Sequence, residues 1–278
     1  MKPFSLNIRG RLQTYSRPVV MGILNVTPDS FFAESRMFDE KKIAERTEQL
    51  VAEGADIIDV GGCSTRPGAC FVGEQEEIDR IGRGLKIVRE IAPEAVVSID
   101  TFRSKVATVA VNEMGCDIVN DISGGNYDSE MFDTIARLNV PYVLTHNGQG
   151  ADAGVETNKT NDVTANTLSV LGEKIKALML KGVKDVIVDP GIGFGKTVDE
   201  NYDLLRNLRL FEVLHKPILI GVSRKSLITR LLNLSAEDSL VGTAALHAMC
   251  LERGASILRV HDVKAAKECI KIYQKFES

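Results

Sequence analysis

The chain has 278 residues, of which 44% are hydrophobic, enough for one large core or two small ones. Lys and Arg total 34 and Asp and Glu total 38, a net charge of -4 without a basic block, which argues against a nucleic-acid-binding surface. No segment approaches the roughly 20 apolar residues that cross a bilayer, and the N-terminus lacks a signal-peptide run, so we predict a cytoplasmic protein without membrane partners.

Short apolar, β-branched segments alternate along the chain with amphipathic segments. Continuous apolar runs are typical of parallel strands, which are buried on both faces. The predicted strands cover residues 19–26, 55–62, 95–100, 116–123, 141–147, 185–194, 217–225 and 256–262. The predicted helices cover residues 40–54, 76–91, 103–114, 129–138, 163–181, 199–211, 237–253 and 264–275.

This alternation predicts an α/β fold, a single (β/α)8 TIM barrel. Parallel strands need helical crossovers, and eight such strands within about 260 residues can close into a ring. A doubly wound open sheet is the alternative. We predict one domain over residues 1–278, in which residues 1–18 form a short N-terminal extension, a hairpin across the barrel bottom. Active sites of this fold lie at the C-terminal ends of the strands, where this sequence becomes polar.

The first two strands are followed by polar loops. Asn25 ends the first strand in the segment NVTPDSFF, and its amide oxygen suits Mg2+, which prefers oxygen ligands. A turn in which Asn25 caps the backbone is the alternative. The second loop, GGCSTRPGA, carries Arg66, whose guanidinium suits a phosphate or a carboxylate. An ordinary surface loop is the alternative there.

Acids and an amide end the strands that follow. Asp100 and Asn120 can bind the donor and acceptor edge of a flat heterocycle, or they can be satisfied structural groups. Asp189 begins DPGIGFGK, which matches neither the P-loop nor the dinucleotide fingerprint. Its carboxylate can accept two N–H groups from a guanidine-like ring edge. Phe194 can form an apolar wall or anchor its loop.

The last two strand ends are basic. Lys225 and Ser226 lie in GVSRKS, and a helix that begins there offers free N–H groups to a carboxylate, or has Ser226 as a simple N-cap. Arg259 and His261 in RVHDV lie two residues apart, so their side chains point the same way on a strand. Together they can clamp a diphosphate, or the guanidinium can stack on a ring.

The cysteines and the other histidines suggest no metal site. The 5 cysteines are scattered, odd in number and without a C-x-x-C pair, so we expect neither a zinc site nor a disulfide framework, and mostly buried reduced thiols. His215 and His247 are expected to be structural.

Seven segments in order make the chain resemble the dihydropteroate synthases over nearly its whole length. They are NVTPDSFF, GGCSTRPGA, SIDT, VNDISGG, DPGIGFGK, SRKS and RVHDV. The resemblance implies a transferase of folate biosynthesis that joins 6-hydroxymethyl-7,8-dihydropterin diphosphate to p-aminobenzoate and releases pyrophosphate. It also implies Mg2+ as cofactor, sulfonamides as inhibitors and a homodimer.

The resemblance implies a role for each candidate residue. Pterin binding would involve Asp100, Asn120, Asp189, Lys225 and Arg259. Within that set, Asp189 would take the 2-amino and N3 protons and Arg259 would stack on the ring. Pyrophosphate and Mg2+ would be held by Asn25, Arg259 and His261, with Asn25 as the metal ligand. Binding of p-aminobenzoate would involve Thr65, Arg66, Pro67, Phe194 and Ser226. The catalytic residues would be Asn25, Lys225, Arg259 and His261.

The implied chemistry is a loose displacement of pyrophosphate without a strong general base. Loops 27–38 and 62–73 would close over the site and exclude water. Two places depart from the family pattern: Cys63 stands where Glu is common, and residues 145–147, Thr-His-Asn, stand where Met-His-Met is commoner. The first puts some loop contacts in doubt and the second changes the wall beside the pterin.

Two other functions stay open at this point. A pterin-binding methyltransferase acting on methyltetrahydrofolate would share the barrel and the pterin residues, without needing the STRPG, SRKS and NVTPDSF segments together. A non-catalytic paralogue would bind a pterin without turnover, and the departures at residues 63 and 145–147 keep this alternative open. Pyrophosphate release that depends on p-aminobenzoate discriminates between these functions.

Overall fold

The computed structural model describes residues 2–27, 33–63, 72–148 and 162–278. The strands are β1 Phe4–Ile8, β2 Arg11–Tyr15, β3 Val19–Asn25, β4 Ile57–Gly61, β5 Val96–Asp100, β6 Ile118–Asp121, β7 Tyr142–Thr145, β8 Val186–Asp189, β9 Leu219–Ile220 and β10 Ile257–Val260. The helices are α1 Ala33–Ala52, α2 Glu74–Ile91, α3 Ser104–Met114, α4 Met131–Leu138, α5 Val163–Leu180, α6 Val198–Arg206, α7 Ser226–Leu232, α8 Leu240–Glu252 and α9 Val263–Glu277. Within the described ranges, 3-10 helices cover Leu208–Leu214 and Glu237–Ser239.

The strands β3 to β10 form a parallel ring. Each pairs with its neighbour in chain order from β3 to β8, and β10 pairs with both β3 and β9. The ring closes where the Val188 N–H donates to the Pro217 carbonyl at 2.9 Å and a parallel bridge joins Val188 to Ile218. The predicted (β/α)8 barrel is therefore confirmed, and the open doubly wound sheet is excluded.

An apolar layer fills the lower half of the barrel. A buried cluster takes at least one residue from each barrel strand: Val19, Met21, Ile57, Val96, Ile118, Val143, Ile187, Leu219 and Ile257. Side chains alternate along a strand, so residues two positions further on face the same interior. On six of the strands those next interior residues are polar, namely Asp59, Ser98, Asn120, Thr145, Asp189 and Arg259. The apolar layer thus forms the floor beneath a polar barrel mouth.

The predicted N-terminal hairpin is confirmed as the antiparallel pair β1–β2. Its two-residue turn, Arg9-Gly10, has positive φ at both positions, 51° and 75°, the geometry that matches the twist of a tight hairpin. Leu6, Ile8 and Tyr15 pack against the apolar floor layer. The hairpin therefore closes the bottom of the barrel, opposite the strand ends that carry the candidate site.

The segment after β8 differs most from the sequence prediction. The strand predicted over residues 217–225 contains two strand residues, Leu219 and Ile220, because the chain turns away from the ring directly after them. Arg224 adopts a positive φ of 57°, and the short helix α7 begins two residues later. The predicted helix 237–253 begins at Leu240, after a 3-10 turn.

The expectation of mostly buried thiols holds for two of the four cysteines that the structure describes. Cys116 and Cys250 are buried, whereas Cys63 and Cys269 are partly exposed. Cys70 lies outside the described residues. Among the described helices, none combines the length and apolar composition of a membrane-spanning helix.

His247 on α8 is a structural histidine, as expected, and it makes stability depend on pH. Its side chain is 1% exposed, and neither ring nitrogen has a hydrogen-bond partner among the described residues. Burial lowers its pKa from 6.5 to about 4, against a smaller opposing effect of Asp262. The folded protein therefore keeps this ring neutral at pH values where the unfolded chain protonates it.

We expect acid to destabilise the protein through this residue. As the pH falls from about 7.5 to about 5, His247 alone should reduce the free energy of unfolding by about 2 kcal/mol, because the unfolded chain gains a proton and the folded chain does not. Urea unfolding at both pH values measures this, and His247→Leu should make the pH dependence shallower. If the free energy of unfolding changed equally with pH in the wild type and in His247→Leu, His247 would not be the source of the pH dependence.

Candidate active site

Four site positions lie side by side across the strands β3 to β6. The register pairs Asn25 with Gly61, Gly61 with Asp100, and Asp100 with Asn120. A Cβ placed on Gly61 would lie 3.6 Å from Asn25 Oδ1 and 3.7 Å from Asp100 Cβ, so the glycine leaves a gap that these two side chains border. Asn25 is exposed at the barrel mouth and Asn120 is buried.

Arg259 reaches from β10 past β3 to carboxylates on β4 and β5. Its Nε donates to Asp59 Oδ2 at 2.7 Å, and its Nη2 donates to Asp100 Oδ2 at 2.7 Å. Burial acts to lower the Arg259 pKa, but the carboxylates of Asp59 and Asp100 outweigh it and raise the pKa above the ordinary value. The guanidinium is therefore a permanent cation fixed in one plane by two carboxylates.

Asp59 is a site residue that the sequence reasoning missed. It is fully buried in the middle of β4 and also accepts a hydrogen bond from Asn120 Nδ2 at 3.0 Å. The prediction considered strand ends only. Asp59 lies two residues before Gly61, on the same face of the strand, so strand alternation provides the signal that could have identified it.

Asp100 has an unusual electrostatic environment. Burial raises its pKa to about 7, Arg259 opposes that shift, and the neighbouring Asp59 adds to it. The carboxyl group therefore changes its protonation state near neutral pH. Such perturbed acids are common at functional sites.

The loop after β8 forms the other side of the mouth. Asp189 Oδ1 accepts a hydrogen bond from the Gly191 N–H at 2.7 Å, and Lys225 Nζ donates to the Ile192 carbonyl at 2.6 Å. Lys225 Nζ also lies 4.6 Å from the centre of the Phe194 ring, a cation–π contact. Burial raises the pKa of Asp189, and the positive charge of Lys225 opposes this rise. Burial lowers the pKa of Lys225 to about 8, and the negative charge of Asp189 opposes this decrease.

Close packing holds this loop in place. Lys196 Nζ donates to three carbonyl groups, those of Gly191 at 2.9 Å, Phe194 at 3.1 Å and His146 at 3.3 Å. A Cβ on Gly191 would lie 1.7 Å from the His146 carbonyl, and this residue has a φ of 73°, so only glycine fits. The lysine of DPGIGFGK thus organises the loop backbone, in agreement with the absence of a P-loop.

Lys225 and Arg259 lie next to each other across Gly221. A Cβ on Gly221 would lie 3.7 Å from Lys225 Nζ and 4.0 Å from Arg259 Cβ. The barrel mouth therefore brings the two cations together with three carboxylates, those of Asp59, Asp100 and Asp189.

His261 lies beside this cluster and is held by Ser223, a second residue that the sequence reasoning missed. Ser223 Oγ is 3.1 Å from His261 Nδ1 and accepts a hydrogen bond from the His261 backbone N–H at 3.2 Å. Burial, together with Arg259 and Arg224, lowers the His261 pKa to about 4. The imidazole is consequently neutral at neutral pH and can donate one N–H group to a ligand.

The proposed p-aminobenzoate residues are only partly described. Thr65, Arg66 and Pro67 lie outside the described residues, as do residues 28–32 of the first loop expected to close and residues 64–71 of the second. The remainder of the predicted loop 27–38 is wrong as a loop, because α1 begins at Ala33. Ser226 is exposed as the first residue of α7, and the N-cap position is occupied by Lys225 without a side-chain capping bond, so the interpretation of Ser226 as the N-cap is wrong.

Both ends of the second loop are bound by arginine side chains, of which Arg80 is buried and Arg103 is partly buried. Arg103 Nη2 donates to the Val72 carbonyl at 2.8 Å, and Arg80 Nη1 donates to the Gly62 carbonyl at 3.3 Å. Arg103 also pairs with Glu77, which is fully buried. The two backbone segments that flank the undescribed part of the loop are therefore fixed to α2 and α3.

The departures from the family pattern at residues 145–147 lie at the end of β7. Thr145 and His146 are buried, and Asn147 Nδ2 donates to the Ile122 carbonyl at 3.2 Å. Cys63 lies at the start of the second loop, and burial raises the pKa of its thiol. The acid–cation cluster of the mouth is formed by other residues.

The barrel and its charged mouth define an enzyme class that binds a polar ligand at the strand C-termini. The family described as "Pterin binding enzyme" matches residues 21–261, so the class is that of pterin-binding barrel enzymes. A dihydropteroate synthase of Streptococcus pyogenes serotype M18 (strain MGAS8232) is 39% identical over 267 residues, which cover 95% of this chain and 97% of the relative. The chain belongs to the dihydropteroate synthase family, enzymes that transfer a pterin group.

Solved structures of such synthases have the same fold. The enzyme of Xanthomonas albilineans with 4-aminobenzoic acid is 35% identical with a TM-score of 0.89, covering 99% of this chain and 98% of that one. The Yersinia pestis enzyme in complex with a sulfonamide drug is 32% identical with a TM-score of 0.84, covering 99% of each chain.

Proposed function

We propose that this synthase condenses 6-hydroxymethyl-7,8-dihydropterin diphosphate with p-aminobenzoate, forming 7,8-dihydropteroate and pyrophosphate. The observation that carries the proposal is the convergence of Asp100, Asn120, Asp189, Lys225 and Arg259 at one barrel mouth. A planar ring with alternating donors and acceptors, attached to an anionic arm, matches these acids, amide and cations. Family membership and the 4-aminobenzoic acid bound to the Xanthomonas relative support the same substrates.

The pterin ring lies in the acid-lined part of the mouth. The Asp189 carboxylate accepts N–H groups of the guanidine-like ring edge, and Lys225 faces the ring carbonyl oxygen and N5. Arg259 presents its flat guanidinium to the ring face. Because the mouth is largely desolvated, each of these polar contacts is stronger than it would be in water.

The diphosphate lies at the rim, next to Arg259 and His261. The neutral His261 donates an N–H group to it, and Arg259 supplies positive charge. Asn25 suits Mg2+ at this position, because its exposed amide oxygen borders the gap above Gly61 and because Mg2+ typically takes one or two protein oxygens together with substrate phosphates. The bound ion would neutralise charge on the departing pyrophosphate.

p-Aminobenzoate is placed by the second loop, through Thr65, Arg66 and Pro67, and by Phe194 and Ser226.

The C–O bond between the pterin methylene and the diphosphate breaks, the amine nitrogen forms a C–N bond to that carbon, and the amine proton leaves with the products. Arg259 and His261 stabilise the charge that develops on the leaving group. Positioning within the mouth replaces a strong general base. Sulfonamides, which resemble p-aminobenzoate, are proposed inhibitors.

We further propose that the chain is one domain and that it works in the cytoplasm as a homodimer. The outer surface of α7 and α8 supports self-association, since it exposes apolar side chains that include Leu231, at 62%, and Val241, at 82%.

The test of the proposed function is pyrophosphate release by the full-length protein. With the pterin diphosphate and Mg2+, we expect release to require p-aminobenzoate and to match dihydropteroate formation one to one. Tight pterin binding without turnover would instead support a non-catalytic paralogue. Methyl transfer from methyltetrahydrofolate, without pyrophosphate release, would support the methyltransferase alternative.

A further inference from the structure

Asp59 occupies a central position that the proposed chemistry does not use directly. It is fully buried beneath the mouth, and one of its oxygens, Oδ2, accepts hydrogen bonds from both Arg259 Nε and Asn120 Nδ2, at 2.7 and 3.0 Å. The three residues belong to different strands, β4, β10 and β6. A single carboxylate oxygen thus connects two side chains that the proposed function assigns to pterin binding.

We propose that Asp59 is a positioning residue, which sets the plane of Arg259 and the amide orientation of Asn120 and so determines affinity for the pterin ring. The proposal rests on the assignment of the mouth as the pterin site. It adds a role for a buried residue that makes no contact with the ring itself.

The amide orientation of Asn120 follows from hydrogen-bonding chemistry. An ionised carboxylate only accepts hydrogen bonds, whereas an asparagine side chain has one accepting oxygen and one donating NH2 group. Asn120 must therefore turn its NH2 group toward Asp59, which leaves Oδ1 as an acceptor for a ligand. A neutral amide at position 59 can both donate and accept, so it would no longer impose this orientation.

The plane of Arg259 is fixed by two carboxylates at separate points of the guanidinium. Asp59 binds Nε and Asp100 binds Nη2, and because the group is planar, two such contacts determine the direction of its flat face. Without Asp59, the Arg259 side chain can rotate about the single remaining contact. A ligand that stacks on the guanidinium would then have to restrict that rotation when it binds.

The first test is the variant Asp59→Asn, compared with Asp117→Asn. Asp117 is the matched control, because it is also a buried carboxylate that pairs with arginines, Arg9 and Arg89, but at the barrel bottom. In calorimetric titration with the pterin diphosphate, Asp59→Asn should raise Kd about 30-fold with unchanged stoichiometry. Asp117→Asn should change Kd by no more than about twofold, because the site is distant.

Steady-state kinetics separates positioning from general destabilisation. Asp59→Asn should raise KM for the pterin diphosphate and leave KM for p-aminobenzoate near the wild-type value, whereas loss of folded protein would lower kcat and change neither KM. If Asp59→Asn does not fold, Asp59→Glu keeps the charge while moving the carboxylate, and the same rise in pterin KM is expected.

The outcomes distinguish the two proposals. If the wild-type protein does not bind the pterin diphosphate, the proposed function fails. If the wild-type protein binds it and Asp59→Asn or Asp59→Glu binds it equally well, the positioning role of Asp59 is wrong.

Discussion

Replacing Asp189 by alanine should weaken binding of the pterin diphosphate by at least about 100-fold, because hydrogen bonds to a charged group contribute about 1.5–3 kcal/mol each and two are lost. The carboxylate is 6% exposed, so water cannot easily replace it. The Lys225 ammonium also loses the carboxylate that supports its charge, so its pKa should fall below the value of about 8 that burial gives it. Calorimetric titration of the variant measures the loss of affinity.

Asp185→Ala is a suitable control for this variant. Asp185 lies just before β8, at the barrel bottom, where its Oδ2 accepts a hydrogen bond from the Asn7 backbone N–H at 2.8 Å. Its removal should affect stability and leave pterin affinity unchanged. Asp189→Asn keeps the shape of the side chain and one hydrogen-bond acceptor. Its affinity for the pterin diphosphate should therefore lie between those of the wild type and Asp189→Ala. Unchanged affinity in Asp189→Ala would refute the role of this carboxylate.

The sequence was sufficient to predict which strand-end residues converge. Parallel strands in a closed barrel all end at the same rim, so residues as distant in the chain as Asn25, Asp189 and Arg259 had to meet there once eight strand–helix units were recognised. The register between β3, β4, β5 and β6 then placed Asn25, Asp100 and Asn120 in one row.

Residues below the rim were harder to predict. Asp59 lies within the apolar run that identifies β4, and a single acid in such a run has no local partner that marks it as functional. Its partners, Arg259 and Asn120, are 200 and 61 residues away along the chain. Only the closed ring brings these groups together, and only their contacts explain why a carboxylate is tolerated there.

The segment between β9 and α8 was misjudged for a related reason. Apolar residues continue through Val222, so the run suggests a longer strand than the two residues that pair. The strand ends early because the chain turns to place Ser223 against His261 and Lys225 over the mouth. Tertiary contacts, rather than the local pattern, determine that boundary.

Replacing Arg259 by methionine should reduce the free energy of unfolding by about 3–5 kcal/mol, because it leaves two buried carboxylates without their cation. The loss should be greater above neutral pH. Arg259 opposes the rise of the Asp100 pKa, so without it that pKa moves above its wild-type value of about 7. Between about pH 7 and the higher Asp100 pKa of the variant, Asp100 is protonated in the folded variant and ionised in its unfolded chain, so the stability of the variant falls as the pH rises. In the same pH range, Asp100 of the wild type is ionised in both the folded and the unfolded state, so wild-type stability does not change through this residue.

Urea unfolding at about pH 6 and about pH 8.5 tests this expectation, since the stability gap between wild type and Arg259→Met should widen at the higher pH. Arg224→Met is the control. Arg224 pairs with Asp262, whose pKa is held below its ordinary value chiefly by the Arg224 hydrogen bond, so Asp262 stays ionised over this range without Arg224. The stability gap between wild type and Arg224→Met should therefore change little between the two pH values. Arg259→Met should also lose most of its affinity for the pterin diphosphate. A stability gap that is the same at both pH values would show that Arg259 does not govern the ionisation of Asp100, and that the electrostatic account of the mouth is wrong.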